Sequence, residues 1–138
     1  NVNGEVALEL GAGTCISARV LIPKFQNFFA IDLSFEMLKN VVETAPPLVC
    51  ADGSSLPLSD GAVDVLILQN MFLFPNEVSR CISEKGCLVW VNSRGSGTPI
   101  HLPVEKVIQS LEAATGYAWN AVCSTMGEAT WAVIRRAL

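Results

Sequence analysis

The residues of this 138-residue chain that could do chemistry stand where short apolar runs stop. The first run, Val6 to Leu10, carries Glu9 as its only acid and opens into Gly11-Ala12-Gly13. Two glycines in a tight turn let the backbone come close to a ligand, and a helix that follows presents free amide groups. An acid beside that loop works against a pyrophosphate and favours a ligand with a positive amino group or a sulfonium. A dinucleotide fingerprint would need glycine three residues after Gly13, where Ile16 stands, so nicotinamide-dependent oxidoreduction is disfavoured. The second run, Phe28 to Ile31, ends at Asp32, 19 residues beyond Gly13. That is close to the ~20-residue spacing at which a carboxylate grips a ribose diol. The third, Leu48 to Ala51, ends at Asp52-Gly53, an acid able to accept from an exocyclic amine and a glycine that leaves room for a flat ring. The fourth, Val63 to Leu68, ends at Gln69-Asn70, which both donate and accept. His101 follows the fifth run and is the one candidate for taking a proton from an acceptor hydroxyl or amine.

These positions need a scaffold that brings strand ends together. The four runs, with Cys87 to Val91 as a fifth, alternate with helix-like segments. Helices are expected over Thr14 to Ile22, stopped by Pro23, and from an N-cap at Ser34 through Glu43. A weak helix over Asn76 to Ser83 leads into a turn at Glu84-Lys85-Gly86. Val104, Val107, Ile108 and Leu111 follow Pro103 at helical spacing, and Gly116 ends that helix. The tail reads as a hairpin, Ala118 to Thr125 and Ala129 to Arg136 about Gly127-Glu128. The expectation is a single α/β domain over residues 1–138. Its sheet would be doubly wound and mostly parallel, covered on both faces, with an antiparallel edge, and its ligand would lie at the carboxyl ends of the strands.

Composition narrows the classes. Hydrophobic residues make up 51% and charged residues 16%, against roughly 25% charged in a typical domain, which excludes a disordered chain. The net charge of −4 without a basic stripe argues against a nucleic-acid partner. No apolar run approaches the ~20 residues that span a bilayer, so no membrane partner is expected. Five scattered cysteines without CxxC spacing read as reduced, buried thiols of a cytoplasmic protein, and no metal site is expected. The low charge content leans toward a homo-oligomer. Asp60 and Asp64 read as turn residues, Trp90, Trp119 and Trp131 as packing, and Arg135-Arg136 as a solvated edge.

Val6 to Cys15 resembles the first motif of class I S-adenosylmethionine-dependent methyltransferases, and Ala30 to Ser34 with Met37-Leu38 resembles their second-strand acid and following helix. The run Ala51 to Asp64, with Asp52, Leu56-Pro57 and Asp60, is the most specific match and is similar to the small-molecule, type-11-like branch. Glu84-Lys85-Gly86 is similar to that branch's Pro-Gly-Gly turn. The resemblance implies a Rossmann-like, seven-stranded sheet whose last strand is antiparallel. It implies S-adenosylmethionine as cofactor and methyl transfer to a small-molecule acceptor, the alternative being a non-catalytic binding or scaffold module on the same fold. By the same resemblance, Gly11, Ala12 and Gly13 would pass close to the methionine part of the cofactor, with Glu9 holding its amino group. Asp32 would bind the ribose hydroxyls. Leu33 and Ser54 would flank the adenine, Asp52 would accept from its amine, and Gln69 would touch the methionine end and face the acceptor. Two departures stand out. The third glycine of the family motif is Cys15 here, and only a few residues precede the first strand, where the branch usually carries cap helices.

Overall fold

The structure, a computed structural model, describes residues 5–41, 43 and 45–137. Strands β1 (Val6–Leu10), β2 (Asn27–Asp32), β3 (Leu48–Cys50), β4 (Val63–Gln69), β5 (Ile82–Asn92), β6 (Trp119–Met126) and β7 (Ala129–Arg136) form one sheet in the order 3-2-1-4-5-7-6. The pairings from β3 to β5 are parallel, and β7 runs antiparallel to both β5 and β6. The expected doubly wound, seven-stranded sheet with its antiparallel hairpin is therefore the observed one. Its order reverses direction at β1, so β1 and β4 lie side by side and a crevice forms above their carboxyl ends.

Alternation along the strands sorts side chains to two faces. Leu8, Leu66, Leu68, Leu88, Trp90 and Ile134 form the larger core. It is closed by α3 (Pro75–Cys81) through Val78 and Cys81, and by α4 (Val104–Thr115) through Val107 and Leu111. The opposite face buries Ala7, Phe28, Ala30, Val65 and Cys87 against Cys15, Ala18 and Phe25. There the expectation of full cover fails. Among the described residues, α1 (Ala18–Leu21) and the 3-10 turn Ile22–Lys24 reach only part of the face. A hollow of about 670 Å3 remains over Val65, Ile67, Val89, Val91, Trp131 and Val133.

Helix boundaries differ from the expectation for local reasons. The first helix begins at Ala18 rather than Thr14, because Cys15 holds φ of +59° and its amide closes a turn onto the Ala12 carbonyl. Pro23 does not stop the chain's winding but starts a 3-10 turn, where no amide is needed from it. Ser34 is the N-cap of α2 (Phe35–Lys39), its hydroxyl accepting from the Met37 amide at 3.2 Å. That helix stops four residues short of Glu43, since the Asn40 side chain donates to the Glu36 carbonyl at 2.8 Å and ends the ladder; Val42 and Thr44, in the expected continuation and just beyond it, lie outside the described residues. The Glu84-Lys85-Gly86 turn exists as an excursion within β5, since Val63 pairs with Ile82 but Val65 with Cys87.

Polar side chains tie the loops to this frame. Asp64 accepts from the Glu5 and Val6 amides and from the Ser83 hydroxyl, so it fixes the starts of β1 and β5 rather than serving a turn. Arg136 is not a solvated edge residue: it donates to the Ser79 carbonyl at 2.9 Å and lies over the Tyr117 and Trp119 rings. On α3, Arg80 forks onto both oxygens of Glu77, pairs with Asp60 and donates to the Leu56 and Leu58 carbonyls. Glu77 accepts in turn from the Leu56 amide at 2.6 Å. The segment after β3 is thereby held against α3.

The Arg80 guanidinium holds the Glu77 carboxyl well below its usual 4.5, at about 2. A depressed carboxyl stabilises the fold above its unfolded value and loses that contribution as the pH falls through its folded one. Wild-type stability should therefore decline between pH 4.5 and about 2. Glu77→Gln should flatten that decline and cost about 1.5–3 kcal/mol at neutral pH, as expected for hydrogen bonds to a charged group, measured by urea denaturation across pH.

Candidate functional site

The carboxyl ends of β3, β2, β1 and β4 carry the residues singled out from the sequence. Gly11 and Gly13 take φ of +74° and +57°, and the loop folds over the end of β2, with the Gly11 and Ala12 amides donating to the Ile31 carbonyl. Asp32 completes the link. One carboxylate oxygen accepts from the Gly13 amide at 2.8 Å and the other from the Ser34 amide at 2.7 Å. Asp32 is half-buried, and each oxygen keeps a lone pair free of these bonds. Leu33 beside it is exposed, as are Phe35 and Met37, so an apolar shelf adjoins the Asp32 carboxylate. In the sequence Phe35 looks like an ordinary residue of an amphipathic helix, and its exposure is seen only in the fold.

Glu9 is the most unusual residue of the site. It is only 3% exposed, its Oε1 accepts from the Ser17 hydroxyl, and its Oε2 is buried without any hydrogen-bond partner. Burial pushes its carboxyl above the usual range, and the Ser17 hydroxyl offsets this in part. The acid borders a hollow of about 310 Å3 that is also lined by Gly11, Ala12, Ser17, Gln69 and Asn70. Gln69 and Glu9 thus line one hollow. Asn70 has a different role: at φ of +51° it donates to the Ser93 hydroxyl and accepts from the Ser93 amide, latching the loop after β4 to the loop after β5.

Asp52 is exposed after β3, where one oxygen accepts from both the amide and the hydroxyl of Ser54 at 2.8 Å. Those two bonds hold its carboxyl below the usual value. Gly53 is buried, and the space a side chain would need is taken: a Cβ there would lie 2.8 Å from the Phe74 ring. The flat ring beside Gly53 is thus the chain's own. Likewise a Cβ on Gly11 would meet the Met71 sulfur at 2.6 Å. Cys15 lies beneath the loop, fully buried in the core with Ala7 and Ala18. Its thiol is pushed up by burial and by the nearby Glu9 and Asp32 charges. His101 is half-buried in a separate hollow behind Met71 and does not join the group around Glu9.

The 3-2-1-4-5-7-6 order with its reversed seventh strand defines a Rossmann-like domain, and carboxylates stand at three adjacent strand ends. The profile of the methyltransferase domain family matches residues 8–85, more than half of the chain, and the chain belongs to that family. It is 34% identical over 65 residues to a demethylmenaquinone methyltransferase of Corynebacterium urealyticum, a match that spans 47% of this chain and 28% of that relative. Solved structures share the fold at low identity. The putative methyltransferase in complex with the Trm112 activator of Haloferax volcanii aligns with a TM-score of 0.76 at 13% identity, over 97% of this chain and 83% of that one. A SAM-dependent methyltransferase of Aquifex aeolicus aligns with a TM-score of 0.71 at 17% identity, over 99% and 84%.

Family membership implies S-adenosylmethionine as the cofactor, and the residues present fit it. The unpartnered Oε2 of Glu9 is an acceptor awaiting a donor, and an ammonium supplies both the hydrogen bond and the opposite charge.

Two outcomes follow from these environments. A carboxyl raised in the folded state stabilises the fold while it is protonated and withdraws that contribution as the pH rises through its folded value. Glu9→Gln should therefore raise the melting temperature of the ligand-free protein at pH 7, and the gain should vanish below the unfolded value of 4.5. For Cys15, glycine relieves a left-handed backbone worth about 1–2 kcal/mol and forfeits a buried thiol of similar worth, so Cys15→Gly should leave stability within about 1 kcal/mol. Cys15→Val, branched and bulkier, should cost at least about 2 kcal/mol in the same denaturation series.

Proposed function

We propose that this chain transfers the methyl group of S-adenosylmethionine to a small-molecule acceptor. The observation that carries the reading is the buried, half-satisfied Glu9 carboxylate beside the Gly11-Ala12-Gly13 loop. When bound, the cofactor supplies a methyl carbon already activated by its sulfonium. The chain's own residues then bind and orient. Glu9 receives the amino group, and the loop backbone of Gly11, Ala12 and Gly13 lies alongside the methionine part. Asp32, fixed in direction by the Gly13 and Ser34 amides, receives the ribose hydroxyls. Leu33 and Ser54 flank the adenine, with Asp52 and the Gly53 backbone at its amine edge, and Gln69 faces the acceptor. Holding two reactants in line supplies on the order of 7–11 kcal/mol of a barrier, so positioning is the main task and no dedicated nucleophile is required.

The burial of Cys15 in the core supports cofactor binding over a scaffold that binds nothing, since its side chain packs beneath the loop. The relative named for demethylmenaquinone supports a small-molecule acceptor in general terms. Among the described residues no helix is long and apolar enough to cross a membrane. The uncovered sheet face supports association with a second copy.

The test is calorimetry with S-adenosylhomocysteine, followed by methyl transfer from labelled S-adenosylmethionine across a panel of small acceptors. Asp32→Ala should weaken binding by about 1.5–3 kcal/mol, the worth of hydrogen bonds to a charged group. Unchanged affinity in that variant would remove Asp32 from the site. Binding without turnover on any acceptor would leave a non-catalytic module.

A further inference from the structure

The helix that follows the glycine loop lacks the cap its sequence provides for. Ser17 is the N-cap residue of α1, a position where a serine hydroxyl ordinarily accepts from an amide of the first turn. Here the side chain makes no such bond, and the backbone is helical, at φ of −66° and ψ of −25°, instead of extended. No acid stands in the first turn to take its place. Ser34, at the same position on α2, does cap its helix. A four-residue helix gains little from its own ladder, so an unused cap there needs a reason.

The reason is Glu9. The Ser17 hydroxyl donates to Oε1 of that acid, eight residues earlier in the chain. The left-handed turn at Cys15 brings it there, closed by the Cys15 amide on the Ala12 carbonyl at 2.9 Å and by the Ala18 amide on the Cys15 carbonyl at 3.1 Å. Ser17 lines the same hollow as Glu9, Gly11 and Gln69. A buried carboxylate with neither oxygen bonded would have no fixed direction and would tend to give up its charge. The Ser17 hydroxyl works against both. It engages one oxygen, it opposes the effect of burial on the carboxyl, and it leaves Oε2 as the oxygen without a donor.

Resting on the methyl-transfer reading, we propose that Ser17 is a positioning residue: its hydroxyl, withdrawn from its own helix, fixes the Glu9 carboxylate so that the unpartnered oxygen receives the ammonium of the cofactor. Ser17 acts through Glu9, so it favours ligands that carry an amino group on the tail and contributes nothing to recognition of the nucleoside. Because the hydroxyl caps no amide, its removal leaves the backbone bonds of α1 as they are.

The test is calorimetry on the full chain with two ligands. S-adenosylhomocysteine carries the ammonium, and 5′-deoxy-5′-methylthioadenosine keeps the nucleoside but lacks the amino-acid tail. Ser17→Ala should weaken S-adenosylhomocysteine by about tenfold, as expected when a hydrogen bond to a charged group is lost, and leave 5′-deoxy-5′-methylthioadenosine within about twofold. Ser17→Thr, which keeps a hydroxyl, should bind S-adenosylhomocysteine within about threefold of wild type. In a Glu9→Gln background Ser17→Ala should cost less than about twofold, because the carboxylate it acts through is gone. Equal weakening of both ligands, or an S-adenosylhomocysteine affinity unchanged by Ser17→Ala, overturns the inference and leaves the methyl-transfer reading standing. Failure of the wild type to bind S-adenosylhomocysteine overturns that reading and the role of Ser17 with it.

Discussion

A carboxylate withdrawn from water with only one oxygen satisfied is the constraint around which this site is arranged. Glu9 sits on β1, flanked by β2 and β4, where an incidental charge would be most expensive. The sheet tolerates it because it lies one residue from the strand's end, beside the Ser17 hydroxyl and a hollow reachable from solvent. In the free chain the acid is a standing penalty. A cationic donor to the unpartnered oxygen would offset that penalty.

The remainder of the site is held by side chains that cross between strand-end loops. Asp32 joins the loop after β1 to the loop after β2. Asn70 joins the loops after β4 and β5. Arg80 and Glu77 join the segment after β3 to α3. Each strand of a parallel sheet hands its chain to a separate crossover, so its loops have no common backbone. Polar cross-links supply the registration that the topology leaves out.

Much of this was legible beforehand because β-strand ends in a parallel sheet are marked twice, by an apolar run and by the small or acidic residue that stops it. Glu9, Gly11, Asp32 and Asp52 could be placed at adjacent edges on that ground alone, and Ser34 as a cap from its position before a helix. Other features were hidden because they depend on partners far along the chain. Nothing local distinguishes Asp64 as the clasp of β1 and β5, or Arg80 as the anchor of residues 56–60. The packing of the Phe74 ring against Gly53 was hidden for the same reason. The shortened α1 traces to the left-handed backbone at Cys15, which a propensity argument built on side chains does not anticipate. Cover on both faces was inferred from parallel strands in general. The actual cover depends on helix length, and α1 is too short to extend over β5 and β7.

The place of β1 in the sheet also governs the order in which the molecule can be assembled. Its partner on one side, β2, follows after about one helical excursion, with Ala7 opposite Phe28, but its partner on the other side pairs Ala7 with Val65. A ribosome adding about 5–20 residues per second needs roughly 3–12 s to cover the distance between them. Throughout that interval the emerging chain carries an apolar strand with one bare edge, the kind of edge that recruits foreign strands. Seating β4 is thus the event that both covers the second edge of β1 and creates the crevice above it.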